Sequence, residues 1–429
     1  MCGSGATTRG VPLGHDAYTH EPVGLNVTDW LRDGHITNTA LWLQAQPGVG
    51  KSAIAKRLGT GLCALGWTMM VPADIKGEYT PLVRRLGGTV ITVGPGHEAI
   101  NPLDPGPLRA VLAREPVGTR RDALRESIRT RQAALLEALL AIELSRPPST
   151  TERAILSRAL DIASDSDPHG QPTIPDVRAV LALPSQPMLD AARVGKVRAY
   201  FDLIREALCA LDLLVDGPLR GHFDRRTTAG FDPDTPAISL DISALNTGPD
   251  SVVSAAMLCS WAWGASLIES RRAGDGRNLL WVQDEAWRAL RAGPGLVERG
   301  DRMTRTGRHE GIASLNITHS MLDLQALPTA EDRAKAAGIA SRSAIHIYGG
   351  MAATELDSLA IPLSTRESNL ITSWQGSGTW VPGQQHPGRG RLLLKTGQHI
   401  GLPVRMRLTP RERELFNTDT AFTGPQAAS

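Results

Sequence analysis

Residues 45–52 read Ala45-Gln46-Pro47-Gly48-Val49-Gly50-Lys51-Ser52. Glycines followed by Lys-Ser are the residue types that a phosphate-cradling loop needs. The preceding segment Asn38–Gln44 is short and mostly apolar, with Leu41, Trp42 and Leu43. The following segment Ser52–Leu65 carries Ile54, Leu58, Leu62 and Leu65 at helical spacing. The loop therefore joins a buried strand to a helix N-terminus, the context that separates a phosphate loop from a chance match. Backbone N–H groups from Gly48 through Val49, Gly50, Lys51 and Ser52 to Ala53 can surround phosphate oxygens at the positive end of the helix. Lys51 can reach the β and γ phosphates, and the Ser52 hydroxyl can ligate Mg²⁺. An ordinary glycine turn does not explain Lys-Ser at the helix start. The usual first glycine is Ala45 here, which fits only with a negative φ. The expected ligands are ATP and Mg²⁺.

Such a loop needs an acid to complete the metal site. Leu279-Leu280-Trp281-Val282-Gln283-Asp284-Glu285 is an apolar run ending in two carboxylates. The pattern assigns Asp284, with Ser52, to Mg²⁺. It assigns Glu285 to activation of the attacking water. Asn316-Ile317-Thr318-His319-Ser320 covers the end of a further strand and the turn after it. A polar residue there, such as His319, can sense the γ-phosphate; a Thr/Ser cap for the segment from Met321 is the competing reading. Arg302, Arg305 and Arg308 are spaced along a helix. Arg308 or Arg305 can act in trans as an arginine finger in a ring, or the three can form a solvated face. Asp74 and Glu78 follow a strand at a helix start, where carboxylates are favoured by the helix dipole; a contact with the ATP site is the sharper alternative.

Strand-like segments are Asn38–Gln44, Thr68–Ala73, Thr89–Val93, Ala237–Ile242, Asn278–Gln283, Ala313–Thr318 and Ser343–Tyr348. Helical stretches separate most of them, which implies an α/β fold with a mainly parallel sheet. Gly378–Val381, Gly390–Leu394 and Val404–Leu408 suggest a later antiparallel edge, and Thr409-Pro410-Arg411-Glu412 opens a final helix with a capping box. Between Pro105 and about Phe223 strand signals vanish. Leu124, Ile128, Leu135, Leu139 and Ile142 share a helical face, and Ser149-x-x-Glu152 and Thr173-x-x-Asp176 start helices. This implies an all-α subdomain inserted into the nucleotide-binding domain. The expected division is 1–36 as a preceding segment, 37–104 and 226–429 as the two parts of the ATPase domain, and 105–225 as the insertion. The tail after Phe422 is expected to be disordered.

At 429 residues the chain can bury a large core. The net charge of +2 excludes any argument for nucleic acid from global basicity. Only six of the 46 basic residues are lysine, a bias that GC-rich genomes produce. The cysteines are scattered with no Cys-x-x-Cys pair, so neither a zinc site nor a disulfide scaffold is implied, which fits a reducing cytoplasm. The N-terminus has no signal-peptide pattern. Ser251–Ile268 lacks charge and approaches membrane-span length, but its serines and its place between strands imply a buried crossover helix.

Taken together, these motifs resemble the conjugative-transfer and type IV secretion ATPases of the FtsK–HerA superfamily. The resemblance extends over most of the chain and includes Gly14-His15-Asp16 and the phosphate loop. It includes Ala73-Asp74-Ile75-Lys76-Gly77-Glu78-Tyr79, similar to an Asp-Pro-Lys-Gly-Glu-Tyr element, and Asn101-Pro102-Leu103-Asp104. Leu219-Arg220-Gly221-His222-Phe223-Asp224, Leu240-Asp241-Ile242-Ser243, Asp284-Glu285-Ala286-Trp287 and Thr318-His319 also fit, with His319 where many relatives carry Gln. The version here looks like that of actinobacterial mobile elements. The resemblance implies a RecA-like P-loop NTPase, a homo-hexameric ring, and ATP hydrolysis that drives conjugation or secretion at a membrane channel. Channel proteins, and DNA as cargo, are the implied partners, with a cytoplasmic or peripheral inner-membrane location. Longer members carry an N-terminal domain that contacts the channel, which this chain is expected to lack. A cytoplasmic DNA translocase of the same superfamily and a nucleotide-binding assembly factor with little turnover are the alternatives.

Overall fold

Continuous apolar runs such as Leu41-Trp42-Leu43 and Leu279-Leu280-Trp281-Val282 belong to strands covered on both faces, the habit of parallel sheets. A computed structural model describes residues 8–416 other than 107, 168–169, 231, 233, 247, 273–276, 293, 328, 376–385, 387 and 398. Among the described residues, eleven strands form one sheet. They are β1 (Val11–Asp16), β2 (Pro22–Leu25), β3 (Ala40–Gln44), β4 (Thr68–Asp74), β5 (Thr89–Thr92), β6 (Ala237–Asp241), β7 (Leu279–Gln283), β8 (Ile312–Thr318), β9 (Ile345–Tyr348), β10 (Arg391–Thr396) and β11 (Leu402–Arg405). Their order is β2-β1-β11-β10-β9-β3-β8-β7-β4-β6-β5. From β9 to β5 every pair is parallel. From β2 to β9 every pair is antiparallel. The expected α/β class, with a mainly parallel sheet and an antiparallel edge, is what the structure has.

Side chains of the central strands alternate between two buried layers. Leu41, Leu43, Val71, Leu280, Val282 and Leu315 enter one layer, under helix Lys51–Ala64. On the opposite face Met70 and Trp281 join a layer that runs into the helices between β5 and β6. There, Leu136 and Leu139 of helix Thr119–Leu144 pack with residues of helix Asp250–Arg272. That second helix is the buried crossover read in Ser251–Ile268. Among the described residues no helix is long and apolar enough to cross a membrane. Both helix starts read from the sequence are reciprocal capping boxes, Ser149 with Glu152 and Thr173 with Asp176. Thr409 and Glu412 exchange the same bonds at helix Pro410–Phe416.

No strand was expected before Asn38, yet β1 and β2 extend the antiparallel edge. β1 contains Pro12 and Gly14, and its pairing with β2 is shifted between them, which breaks the alternation that signals a strand. Gly378–Val381 and the tail after Phe422 lie outside the described residues.

The edge is held to the body by a buried ion pair. Lys395 of β10 donates to Glu367 Oε1 at 2.9 Å, and the Gly401 N–H donates to the same oxygen at 2.6 Å. The Ser364 N–H donates to Glu367 Oε2 at 2.7 Å. Burial alone would raise the Glu367 carboxyl, but these donors outweigh it and hold it at about 2. A depressed pKa contributes stability above the ordinary value near 4.5, and that contribution fades as pH falls through the interval down to about 2. Glu367→Gln should therefore lower stability at pH 7 by about 1–3 kcal/mol, read as a shift in the urea midpoint. The gap from wild type should narrow below about pH 4.5. A gap independent of pH would rule out the ion pair as its source.

Candidate functional site

β3, β8 and β7 are neighbours in parallel register, with Gln44 beside Thr318 and Gln283 beside Asn316. Their C-terminal ends therefore open at one level, where the three sequence motifs begin. β4 flanks β7 on the other side. This places Lys51, Ser52, Asp284, Glu285 and His319 around one crevice at the carboxyl ends of the strands, the usual position of ligands in open α/β sheets.

The loop after β3 turns through Gly48 and Gly50, with φ of 82° and 104°, into helix Lys51–Ala64. Left-handed backbone at both points favours glycine. A Cβ on either would meet nothing within 4 Å, so both face open space. Ala45 has no positive φ, as its place in the loop required. Its side chain is buried against the strand-β9 exit. A Cβ at Gly349 would stand 2.7 Å from the Ala45 Cβ and 2.8 Å from Val49 Cγ1. The Gln46 N–H donates to Gly350 O at 3.0 Å. The β9 exit thus braces the loop from behind.

Lys51 is buried, and its ammonium donates to Ala45 O at 2.7 Å and Gln46 O at 3.2 Å. Its third contact is His319 Nδ1 at 2.7 Å. Burial lowers the amine to about 8, against the opposing pull of Asp284 and Glu285. His319 Nε2 lies 3.1 Å from Glu285 Oε1. A neutral His319 with its proton on Nε2 satisfies both contacts, accepting from Lys51 and donating to Glu285.

Glu285 is held at both carboxylate oxygens. Lys76 Nζ donates to Oε1 at 2.5 Å, and Trp287 Nε1 to Oε2 at 2.6 Å. Burial alone would raise its carboxyl; the bonds from His319 and Lys76 outweigh burial and keep it well below the usual carboxylate range. Its φ is 54°, in the left-handed region. A non-glycine residue there costs about 1–3 kcal/mol, and such strain concentrates at functional sites. Asp284 Oδ2 accepts from Ser52 Oγ at 3.2 Å and from the Tyr79 hydroxyl at 2.9 Å.

Oxygen donors on Ser52 and Asp284 suit Mg²⁺, which is bound through one or two carboxylates plus phosphate oxygens rather than an all-protein cage. No group of three or more His, Cys, Asp or Glu that could hold a metal occurs among the described residues. The open glycine loop, its inward cation and this donor pair fit a Mg²⁺–nucleotide.

The cavity over the loop has a volume of about 820 Å³. Its far wall comes from the antiparallel edge and final helix, with Arg389, Arg405, Arg407 and Arg413 beside Met406 and Phe416. Sequence reasoning missed this wall and also missed the Lys76 and Tyr79 contacts. The Asp74–Tyr79 segment stood out by resemblance, but nothing local ties it to Asp284 and Glu285. Asp74, the last residue of β4, accepts the N–H groups of Glu78 and Tyr79 at 3.0 and 2.8 Å and so closes the turn, while helix Thr80–Arg85 has no side-chain cap. Burial raises its carboxyl to about 7. Glu78 lines the cavity. Arg308 is elsewhere: it donates to Thr37 O, ahead of β3, at the opposite end of the sheet. Arg305 pairs with Asp301. Ser320 Oγ accepts the Leu322 N–H, so the capping reading of this turn holds for Ser320 while His319 faces the crevice.

The bracing of the loop is testable. Gly349→Ala should push Ala45 and Val49 and weaken ATP binding by about tenfold or more, a cost of overpacking of about 1–3 kcal/mol. Calorimetry with ATP and Mg²⁺ checks it; unchanged affinity would mean that the β9 exit does not support the loop.

No protein-family profile and no curated protein matches the chain. Solved structures do. VirB4 of Thermoanaerobacter pseudethanolicus superposes with a TM-score of 0.70 at 20% identity, over 96% of this chain and 99% of that one. The bacterial conjugative coupling protein TrwB, in a form called TrwBdeltaN70 with sulphate, gives 0.54 at 10% identity, over 94% and 91%. TrwB in complex with ADP and Mg²⁺ gives 0.51 at 10% identity, over 86% of each chain. This chain has the RecA-like P-loop fold that VirB4 and TrwB share.

Proposed function

We propose that this protein is a P-loop ATPase that binds ATP with Mg²⁺ and hydrolyses it to ADP and phosphate, as a motor for conjugative DNA transfer or type IV secretion. One observation carries the reading: Lys51, Ser52, Asp284, Glu285 and His319 meet at the ends of three adjacent parallel strands. The N–H groups of Gly48 to Ala53 and the Lys51 ammonium bind and orient the phosphates. Ser52 and Asp284 hold the Mg²⁺, which supplies charge neutralisation on the phosphate oxygens. Glu285 orients the attacking water and accepts its proton. Three of its roughly four lone-pair positions are filled by Lys76, His319 and Trp287, which leaves one for water. His319 couples the phosphate-binding lysine to the base.

The motor reading rests on fold likeness to VirB4 and to a conjugative coupling protein, one form of which binds ADP and Mg²⁺. In this reading the chain forms a hexameric ring in the cytoplasm or at the inner face of the membrane. Residues 105–225 form a helical subdomain within the ATPase domain 37–104 and 226–429. Arg308 is then an arginine finger only if a neighbouring subunit presents it. Charge does not mark a DNA face in the cleft of the helical block. That cleft holds Arg109, Arg121, Arg125, Arg129 and Arg158, but also Asp122, Glu126, Asp161 and Asp165.

Lys51→Ala should weaken ATP binding by about tenfold or more, the scale of a charge-assisted contact. Glu285→Gln should keep ATP bound but slow hydrolysis by about 10²–10⁴, accumulating an ATP-bound oligomer visible by mass measurement. ATPase rates with and without DNA separate a DNA-stimulated translocase from a factor with little turnover. Wild-type hydrolysis in Glu285→Gln would remove Glu285 as the base, and a strict monomer with bound ATP would argue against the ring.

A further inference from the structure

Each carboxylate at the end of β7 has one bond from its own segment, Glu285 N–H to Asp284 Oδ1 at 3.0 Å and Trp287 Nε1 to Glu285 Oε2 at 2.6 Å. Both are also held by the turn after the adjacent strand β4, residues Ile75–Tyr79. Lys76 donates to Glu285 Oε1 at 2.5 Å. Three residues on, the Tyr79 hydroxyl donates to Asp284 Oδ2 at 2.9 Å. The turn is rigid for local reasons. Asp74 is 4% exposed and accepts the N–H groups of both Glu78 and Tyr79. Gly77 sits at φ 67°, and a Cβ there would crowd Ser243 Oγ and Asp241 Oδ2 at 3.2 and 3.3 Å. Tyr79 is 1% exposed, with Lys56 of the phosphate-loop helix 5.6 Å from its ring centroid. Its hydroxyl and that of Ser52 converge on the same carboxylate oxygen.

We infer that the Ile75–Tyr79 turn is a positioning strap for the two working carboxylates: Tyr79 orients Asp284 for the metal, and Lys76 orients Glu285 for water. The inference rests on the ATPase reading above. A carboxylate that meets a metal through only one or two contacts depends on neighbours to hold its rotamer. Asp284 is just past the strand end; the Glu285 N–H donates to its Oδ1 at 3.0 Å, and the Tyr79 and Ser52 hydroxyls fix Oδ2. Glu285 has a strained backbone, and side-chain donors are what keep its head in place. Lys76 lines the cavity of the phosphate loop, with its ammonium paired to Glu285. Lys76 and Tyr79 are positioning residues; neither takes the proton of water.

The test uses the full chain and three substitutions. Tyr79→Phe removes one hydroxyl and keeps the ring. It should leave ADP or ATP affinity in EDTA within about twofold of wild type, while the Mg²⁺ concentration at which nucleotide binding tightens rises about tenfold or more, the weight of one hydrogen bond to a charged group. Lys76→Met keeps the stem and should lower kcat about tenfold or more with Kd for Mg²⁺–ATP within about twofold; Lys76→Arg should restore part of the rate. A generally loosened fold would instead weaken nucleotide binding with and without Mg²⁺ alike. An unchanged Mg²⁺ midpoint in Tyr79→Phe overturns the role of Tyr79, and an unchanged kcat in Lys76→Met overturns that of Lys76. Should Tyr79→Phe fail to fold, the half-exposed Lys76 decides the strap alone. A wild-type chain that binds Mg²⁺–ATP without turnover overturns the ATPase reading, yet the Mg²⁺ midpoint still decides Tyr79. A wild-type chain that binds no nucleotide overturns both.

Discussion

Three charged groups, Lys51, Asp284 and Glu285, lie close together in one crevice, Lys51 and Glu285 buried, and each must find a partner or lose its charge. Everything at the carboxyl end of the sheet answers that demand. Lys51 spends its three N–H groups on two loop carbonyls and His319. Glu285 is met by Lys76, His319 and Trp287. Asp284 is met by Ser52 and Tyr79. His319 joins the basic half to the acidic half because β8 lies between β3 and β7. The parallel register that aligns these strand ends is therefore an electrostatic requirement as much as a packing one. A shift of one residue would reverse the side-chain faces of a strand and separate charges that now compensate.

The antiparallel edge completes the crevice. β10 and β11 return the chain over the phosphate loop, where Gly390 N–H approaches Val49 O at 3.3 Å and Met406 N–H donates to Gly390 O at 2.7 Å. Four arginines on this return face the loop across the cavity. The same edge is tied to the body by the buried Lys395–Glu367 pair. A break in that pair would loosen one wall of the cavity without touching the loop.

Much of this was legible in the sequence, and for a common reason. The phosphate loop, the apolar strand ending in Asp284-Glu285, the crossover helix in Ser251–Ile268 and the capping boxes at Ser149, Thr173 and Thr409 are all local patterns. Glycine spacing, a continuous apolar run or an oxygen three residues before an acid has its effect within a turn or a strand, so a few residues suffice to show it. The negative φ of Ala45 followed in the same way from the absence of glycine. β1 escaped because Pro12 and Gly14 interrupt its pattern and its pairing is irregular.

Contacts between distant segments were not legible. Lys76 and Glu285 are 209 residues apart, and Lys51 and His319 are 268 apart. Nothing in either segment names the other; the strand order alone makes them neighbours. The same holds for Gly349 behind Ala45, for the arginine wall, and for Arg308, whose helical spacing was visible but whose end of the sheet was not. The sequence by itself determined which residues could do phosphate chemistry and which elements would carry them, because backbone propensity and burial pattern are local. Only the tertiary structure decided which of those residues compensate one another, because a charge is satisfied by whatever lies within a few ångströms in space, however far away in the chain.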